Sequence, residues 1–166
     1  MSPRRGIAVV VVAPTERRII DTLAGILPAA AASYEQCVAD LGGPPRLSYR
    51  GVAHELREVL REVLHQLAPD GDVLAEPGFK LEKDQTRPTH RQKALYVLRK
   101  RKLSPEAVRA PELTVSLVDE LGAQITRSAY TQGSNSAHTA SSLPEVRRLK
   151  VWVDAVLGEL LEIHGQ

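Results

Sequence analysis

Residues 48–68, SYRGVAHELREVLREVLHQLA, constrain the fold more than any other stretch. Val52, Leu56, Val59, Leu60, Val63 and Leu67 recur at helical spacing, so about five turns of helix carry one continuous apolar stripe. A stripe of that length must be covered by other elements. Ser48 stands where an N-cap belongs, and Pro69 closes the far end. Arg57, Glu58, Arg61 and Glu62 fall away from the stripe and read as a solvated face with modest ion pairs.

The covering elements are also legible as helices. PTERRIIDTLAGIL opens with Pro14 in a first turn and repeats Ile19, Ile20, Leu23, Ile26 and Leu27. AAAASYEQCVADL follows Pro28 and stops at the breaker cluster Gly42-Gly43-Pro44-Pro45. PELTVSLVDELGAQITRSAY starts at Pro111 with Leu113, Leu117, Val118, Leu121 and Ile125 as its apolar set. SLPEVRRLKVWVDAVLGELLEIH begins with Ser142 as N-cap, Pro144 in the first turn and Glu145 completing a capping box. The expectation is an all-α helical bundle, with residues 70–88 as an exposed connection.

Composition agrees with aliphatic helix packing: 43% of the 166 residues are apolar, but only one Trp, four Tyr and one Phe are present. The run IAVVVVA at 7–13 is too short to span a membrane, since a spanning helix needs about 20 apolar residues. A short strand and a helical segment docked on the body both fit it, and the helical segment is the preferred reading. The single Cys37 has no disulfide partner and is expected to be a small buried side chain in a reducing, cytoplasmic setting. No compact carboxylate cluster and no set of ligands at metal spacing stands out, so neither metal nor cofactor is expected.

The formal net charge is only +2, yet the basic residues are not spread evenly. Residues 86–102 hold Arg87, His90, Arg91, Lys93, Arg99, Lys100, Arg101 and Lys102 without one acidic residue. Such a helix can grip a phosphate backbone, or simply keep the protein soluble.

The run RSAYTQGSNSAH at 127–138 joins the last two helices. Histidine can take and give a proton near neutral pH, and arginine offers a permanent fork to phosphate oxygens. Arg127 and His138 can therefore assist attack of a ribose 2′-hydroxyl on the adjacent phosphorus, with Tyr130, Thr131, Ser134 and Asn135 at hand to position the phosphate. The same residue types also suit an ordinary connection, an Arg near a helix C-terminus complementing the dipole. Arg50 and His54, one turn apart near the start of their helix, are secondary candidates, since a cleft can form there.

The pieces YRGVAHELRE, PGFKLE and the Arg-to-His run, within residues 33–164, resemble the predicted nucleases associated with prokaryotic PIWI proteins. The layout is also similar to the HEPN superfamily of small helical ribonucleases, many of which act in phage defence or toxin systems. Here the interval between Arg127 and His138 is longer than in the usual HEPN motif. The resemblance implies a bundle with a HEPN-like core, residues 46–166, and an N-terminal helical extension, 1–45, in a single domain spanning 1–166. It also implies RNA as substrate, a PIWI-like or other defence-system partner, homodimerisation, and a catalytic role for Arg127 and His138, with Tyr130, Thr131 and Ser134 in the matching motif and Arg50, His54 and Glu55 in an N-terminal motif that completes the site or braces its helix. The alternative is a non-catalytic module that binds nucleic acid or protein through the basic 87–102 patch.

Overall fold

The computed structural model describes residues 9–131 and 143–163, apart from the side chains of 126 and 128–131. Within these residues there are seven helices and no strand: α1 (Pro14–Ile26), α2 (Pro28–Gly42), α3 (Arg50–Leu67), α4 (Asp70–Leu74), α5 (His90–Lys100), α6 (Pro105–Thr131) and α7 (Leu143–Leu160). The protein is an all-α bundle.

α3 lies at its centre, against α2, α5, α6 and α7. Val52, Leu56, Val59, Leu60 and Val63 are buried as the stripe requires, joined by Ala53 and Leu64, while Leu67 is only partly buried. Its N-cap is Tyr49 rather than Ser48, whose hydroxyl instead accepts the Arg50 N–H at 3.3 Å. α1 and α2 are separated by Leu27 alone, because Pro28 denies the preceding residue a helical conformation.

Several boundaries depart from the sequence expectation. Residues 9–13 are extended, not helical: Val10 and Val12 pack on the core while Val9 and Val11 are exposed. β-branched residues suit this alternation, and Pro14 holds Ala13 extended. A short helix, α4, interrupts the 70–88 connection. α5 starts at His90, where Thr89 and Gln92 form a reciprocal capping box.

The largest correction concerns α6. It begins at Pro105, with Ser104 Oγ accepting the Ala107 N–H, and continues through Pro111. Its buried face is Val108, Pro111, Val115, Val118, Gly122 and Ile125, whereas Leu113 and Leu117 are 56% and 42% exposed. Small residues at alternating spacings of three and four let this helix approach α3 closely. A Cβ at Gly122 would sit 2.2 Å from Arg57 Cδ. Arg57 is therefore half-buried across α6, its Nε without a hydrogen-bond partner, rather than on a solvated face. Ser142 and its capping box lie outside the described residues.

One half-buried polar network ties the first, second and last helices. Lys150 Nζ lies 2.7 Å from Glu16 Oε1 and 2.6 Å from Asp154 Oδ2, and the Tyr34 hydroxyl donates to Asp154 Oδ1 at 2.7 Å. Burial raises the Asp154 pKa, although Lys150 and Tyr34 pull it down. Burial opposes the charge on Lys150, but Asp154 and Glu16 outweigh it and hold the ammonium above its ordinary value. Replacing Lys150 with Met leaves two carboxylates facing each other without a cation. The Lys150→Met variant is expected to lose about 3 kcal/mol in urea unfolding, and a midpoint equal to wild type would contradict this role.

Candidate functional site

Contacts between helices establish which helix ends meet. Arg57 of α3 crosses Gly122 of α6. Past the end of α3, Asp70 pairs with Lys93 of α5 at 2.6 Å, and His90 Nδ1 of α5 lies 3.0 Å from Asp119 Oδ1, upstream of Gly122. α3 and α6 thus run in opposite directions, and the start of α3 shares an end of the bundle with the finish of α6. Arg147 Nη2 near the start of α7 donates to Leu41 O near the finish of α2 at 3.5 Å. α7 begins beside the end of α2, which leads directly into α3.

One end of the bundle therefore gathers the start of α3, the finish of α6 and the start of α7. Arg50, His54 and Glu55 are all exposed in the first turns of α3. Arg127 is exposed near the finish of α6, about one and a half turns beyond Gly122. Tyr130 and Thr131 fall in the last turn of α6, and the run from 132 to 142 connects it to α7. Ser134, Asn135 and His138 lie outside the described residues. That end carries Arg50, His54 and Glu55 on α3 and Arg127 on α6.

The basic set at 87–102 does not form one free cationic face. Lys93 is buried on Asp70. Arg91 bridges Glu82, at 2.7 Å, and Glu112. His90 faces Asp119. Arg101 donates to the Glu159 and Leu160 carbonyls, closing the C-terminus of α7. Lys100 Nζ sits 4.5 Å over the Tyr96 ring and 4.0 Å from Glu76. Arg87, Arg99 and Lys102 are exposed. The partners of the paired residues are supplied from Asp70, Glu82, Glu112 and Asp119, all outside the basic run, so the run itself gave no sign of them.

Cys37 is buried, its Sγ 3.9 Å from Val52 O, and burial followed by the charge of Glu55 pushes the thiol up to about 12. It is a packing residue. Among the described residues no group of three or more His, Cys, Asp or Glu side chains is arranged to hold a metal ion, and no helix is long and apolar enough to cross a membrane.

An all-helical chain with this Arg-bearing end defines a class that comparison with known families makes specific. The model of the family described as predicted pPIWI-associating nuclease matches residues 26–155. The chain belongs to that family. No curated protein and no solved structure matches it. The matched span runs from the end of α1 into α7, and so includes every helix end gathered above.

The pairing of Lys93 makes a separable prediction. Hydrogen bonding to Lys93 lowers the Asp70 pKa, so this contribution is complete above the ordinary aspartate value and fades as pH falls through the lowered folded value. Lys93→Met is expected to cost about 1–3 kcal/mol near neutrality and to flatten stability against pH on the acid side. Arg99→Ala is expected to change stability by less than about 0.5 kcal/mol. Urea titrations across pH check both, and equal effects from the two variants would refute the distinction.

Proposed function

We propose that this member of the predicted pPIWI-associating nucleases is an endoribonuclease that cleaves RNA without a metal. The observation that carries the reading is the convergence of the start of α3, the finish of α6 and the start of α7 at one end of the bundle. That end holds Arg127 and receives both termini of the run bearing His138. Arg127 on α6 and His138 in the run that follows are eleven positions apart, and the two helices that flank that run, α6 and α7, pack together.

In the proposed reaction the ribose 2′-oxygen attacks the adjacent phosphorus as His138 takes its proton. Negative charge grows on the non-bridging oxygens, where the Arg127 guanidinium stabilises it. The P–O5′ bond breaks, the leaving oxygen gains a proton, and the products are a 2′,3′-cyclic phosphate and a 5′-hydroxyl. Tyr130, Thr131, Ser134 and Asn135 position the phosphate, while Arg50, His54 and Glu55 brace the start of α3. The setting is a prokaryotic defence system, with a PIWI-type protein as partner, and the HEPN resemblance supports a homodimer. A purely binding role for 87–102 has less support, because Lys93, Arg91, His90 and Arg101 are held in structural contacts.

Arg127→Ala and His138→Ala are each expected to lower the rate of RNA cleavage in EDTA by about a hundredfold or more, with cooperative unfolding retained. Cleavage by both variants at the wild-type rate would sink the proposal.

A further inference from the structure

One concavity among the described residues lies away from the Arg127 end. A cleft of about 470 Å³ opens between α5 and the turn that follows α4, a volume in the range of small-ligand sites. Its lining mixes polar and apolar side chains, and two aromatic residues are among them, half-buried Phe79 and buried Tyr96. Lys80, Arg99 and Lys100 stand at its rim with one carboxylate, Glu76. Glu76 lies 4.0 Å from Lys100, and the Arg91 charge is met by Glu82 and Glu112. Lys80 and Arg99 therefore leave the cleft with an excess of positive charge.

The turn on one wall is built rather than incidental. The Phe79 N–H donates to Glu76 O at 3.1 Å, with Pro77 and Gly78 between them and Gly78 at φ 76°. Proline followed by a glycine in the left-handed region is the arrangement of a type II turn. Gln92 Nε2 of α5 then donates to Lys80 O at 2.8 Å, clamping the turn to the opposite wall. This fixes an aromatic ring and two cations around a cavity sized for one nucleoside.

We infer that this cleft is a nucleotide-binding site, distinct from the proposed cleavage end, in which a base lies against Phe79 and its phosphate meets Arg99 and Lys80. Aromatic faces stack on any base, and arginine and lysine accept the phosphate. Arg91, on the cleft wall, reaches Glu112, fifteen residues before Arg127 on α6, so the two sites are separated by about 22 Å along that helix. The choice of a nucleotide as ligand rests on the nuclease reading, and the site would hold substrate or a signalling nucleotide at a distance from the scissile bond.

The test is fluorescence anisotropy with a short, labelled 2′-O-methyl single-stranded RNA. That probe lacks the attacking hydroxyl, so binding is read whether or not the protein cleaves. Phe79→Ala and exposed Arg99→Ala are each expected to weaken binding about tenfold, and Arg17→Ala on α1 to leave it unchanged. Should Phe79→Ala unfold, Arg99→Ala still reads the site. Displacement of the probe by AMP or UMP would identify a free nucleotide as occupant, and resistance to them a nucleotide within a chain. No binding by the wild type, wild-type affinity in folded Phe79→Ala and in Arg99→Ala, or displacement by polyglutamate as effectively as by RNA would overturn the assignment. Loss of cleavage in Arg127→Ala with binding intact would leave it standing.

Discussion

Burial of the α3 stripe is the interaction on which the remaining arrangement depends. Val52, Leu56, Val59, Leu60 and Val63 are each no more than 3% exposed, and fully burying one such side chain is worth about 1.5–3 kcal/mol. No single neighbour can cover a stripe of five turns. α2, α5, α6 and α7 each cover a part of it, so the helix that supplies the apolar surface also sets the positions of the helices around it.

Hydrophobic burial fixes proximity but is indifferent to direction, and polar contacts supply that. Lys150 engages carboxylates of both α1 and α7, Tyr34 joins α2 to the same group, and Arg101 closes the end of α7. Lys93 anchors α5 to the residue that opens α4. These contacts set helix direction and stagger, and through them the starts of α3 and α7 meet the finish of α6. The proposed site is a consequence of the stagger, since none of Arg50, His54 or Arg127 is buried.

What the sequence disclosed follows the same division. The stripe of α3 was legible because large aliphatic residues recur on one face, and α7 packs by the same spacing: Val146, Leu149, Val153, Val156, Leu157 and Leu160 are buried and Leu161 partly so. The α6 interface was not, because periodicity weighted by side-chain size favours Leu113 and Leu117, whereas the packed face is the small one around Gly122. The extended 9–13 segment was missed because its length of apolar valines suits either a helix or a strand, and only the docking of Val10 and Val12 decides. Arg127 could be singled out by residue type and by resemblance. The neutralisation of Lys93, Arg91 and His90 could not, since each partner is distant in sequence. The cleft at Phe79 was equally hidden: PGFKLE stood out as a motif, but nothing in it announces that Gln92 ties Lys80 to α5 or that Tyr96 lines the same cleft.

The central claim is that this end of the bundle carries out attack by the ribose 2′-oxygen. Its most direct measurement is end-group analysis of fragments released in EDTA from an RNA carrying a single 2′-deoxy substitution at a mapped cleavage position, beside the unsubstituted RNA. The account predicts 2′,3′-cyclic phosphate and 5′-hydroxyl ends in the unsubstituted RNA and no cleavage at the deoxy position. Cleavage there at an unchanged rate, leaving 3′-hydroxyl and 5′-phosphate ends, would contradict it.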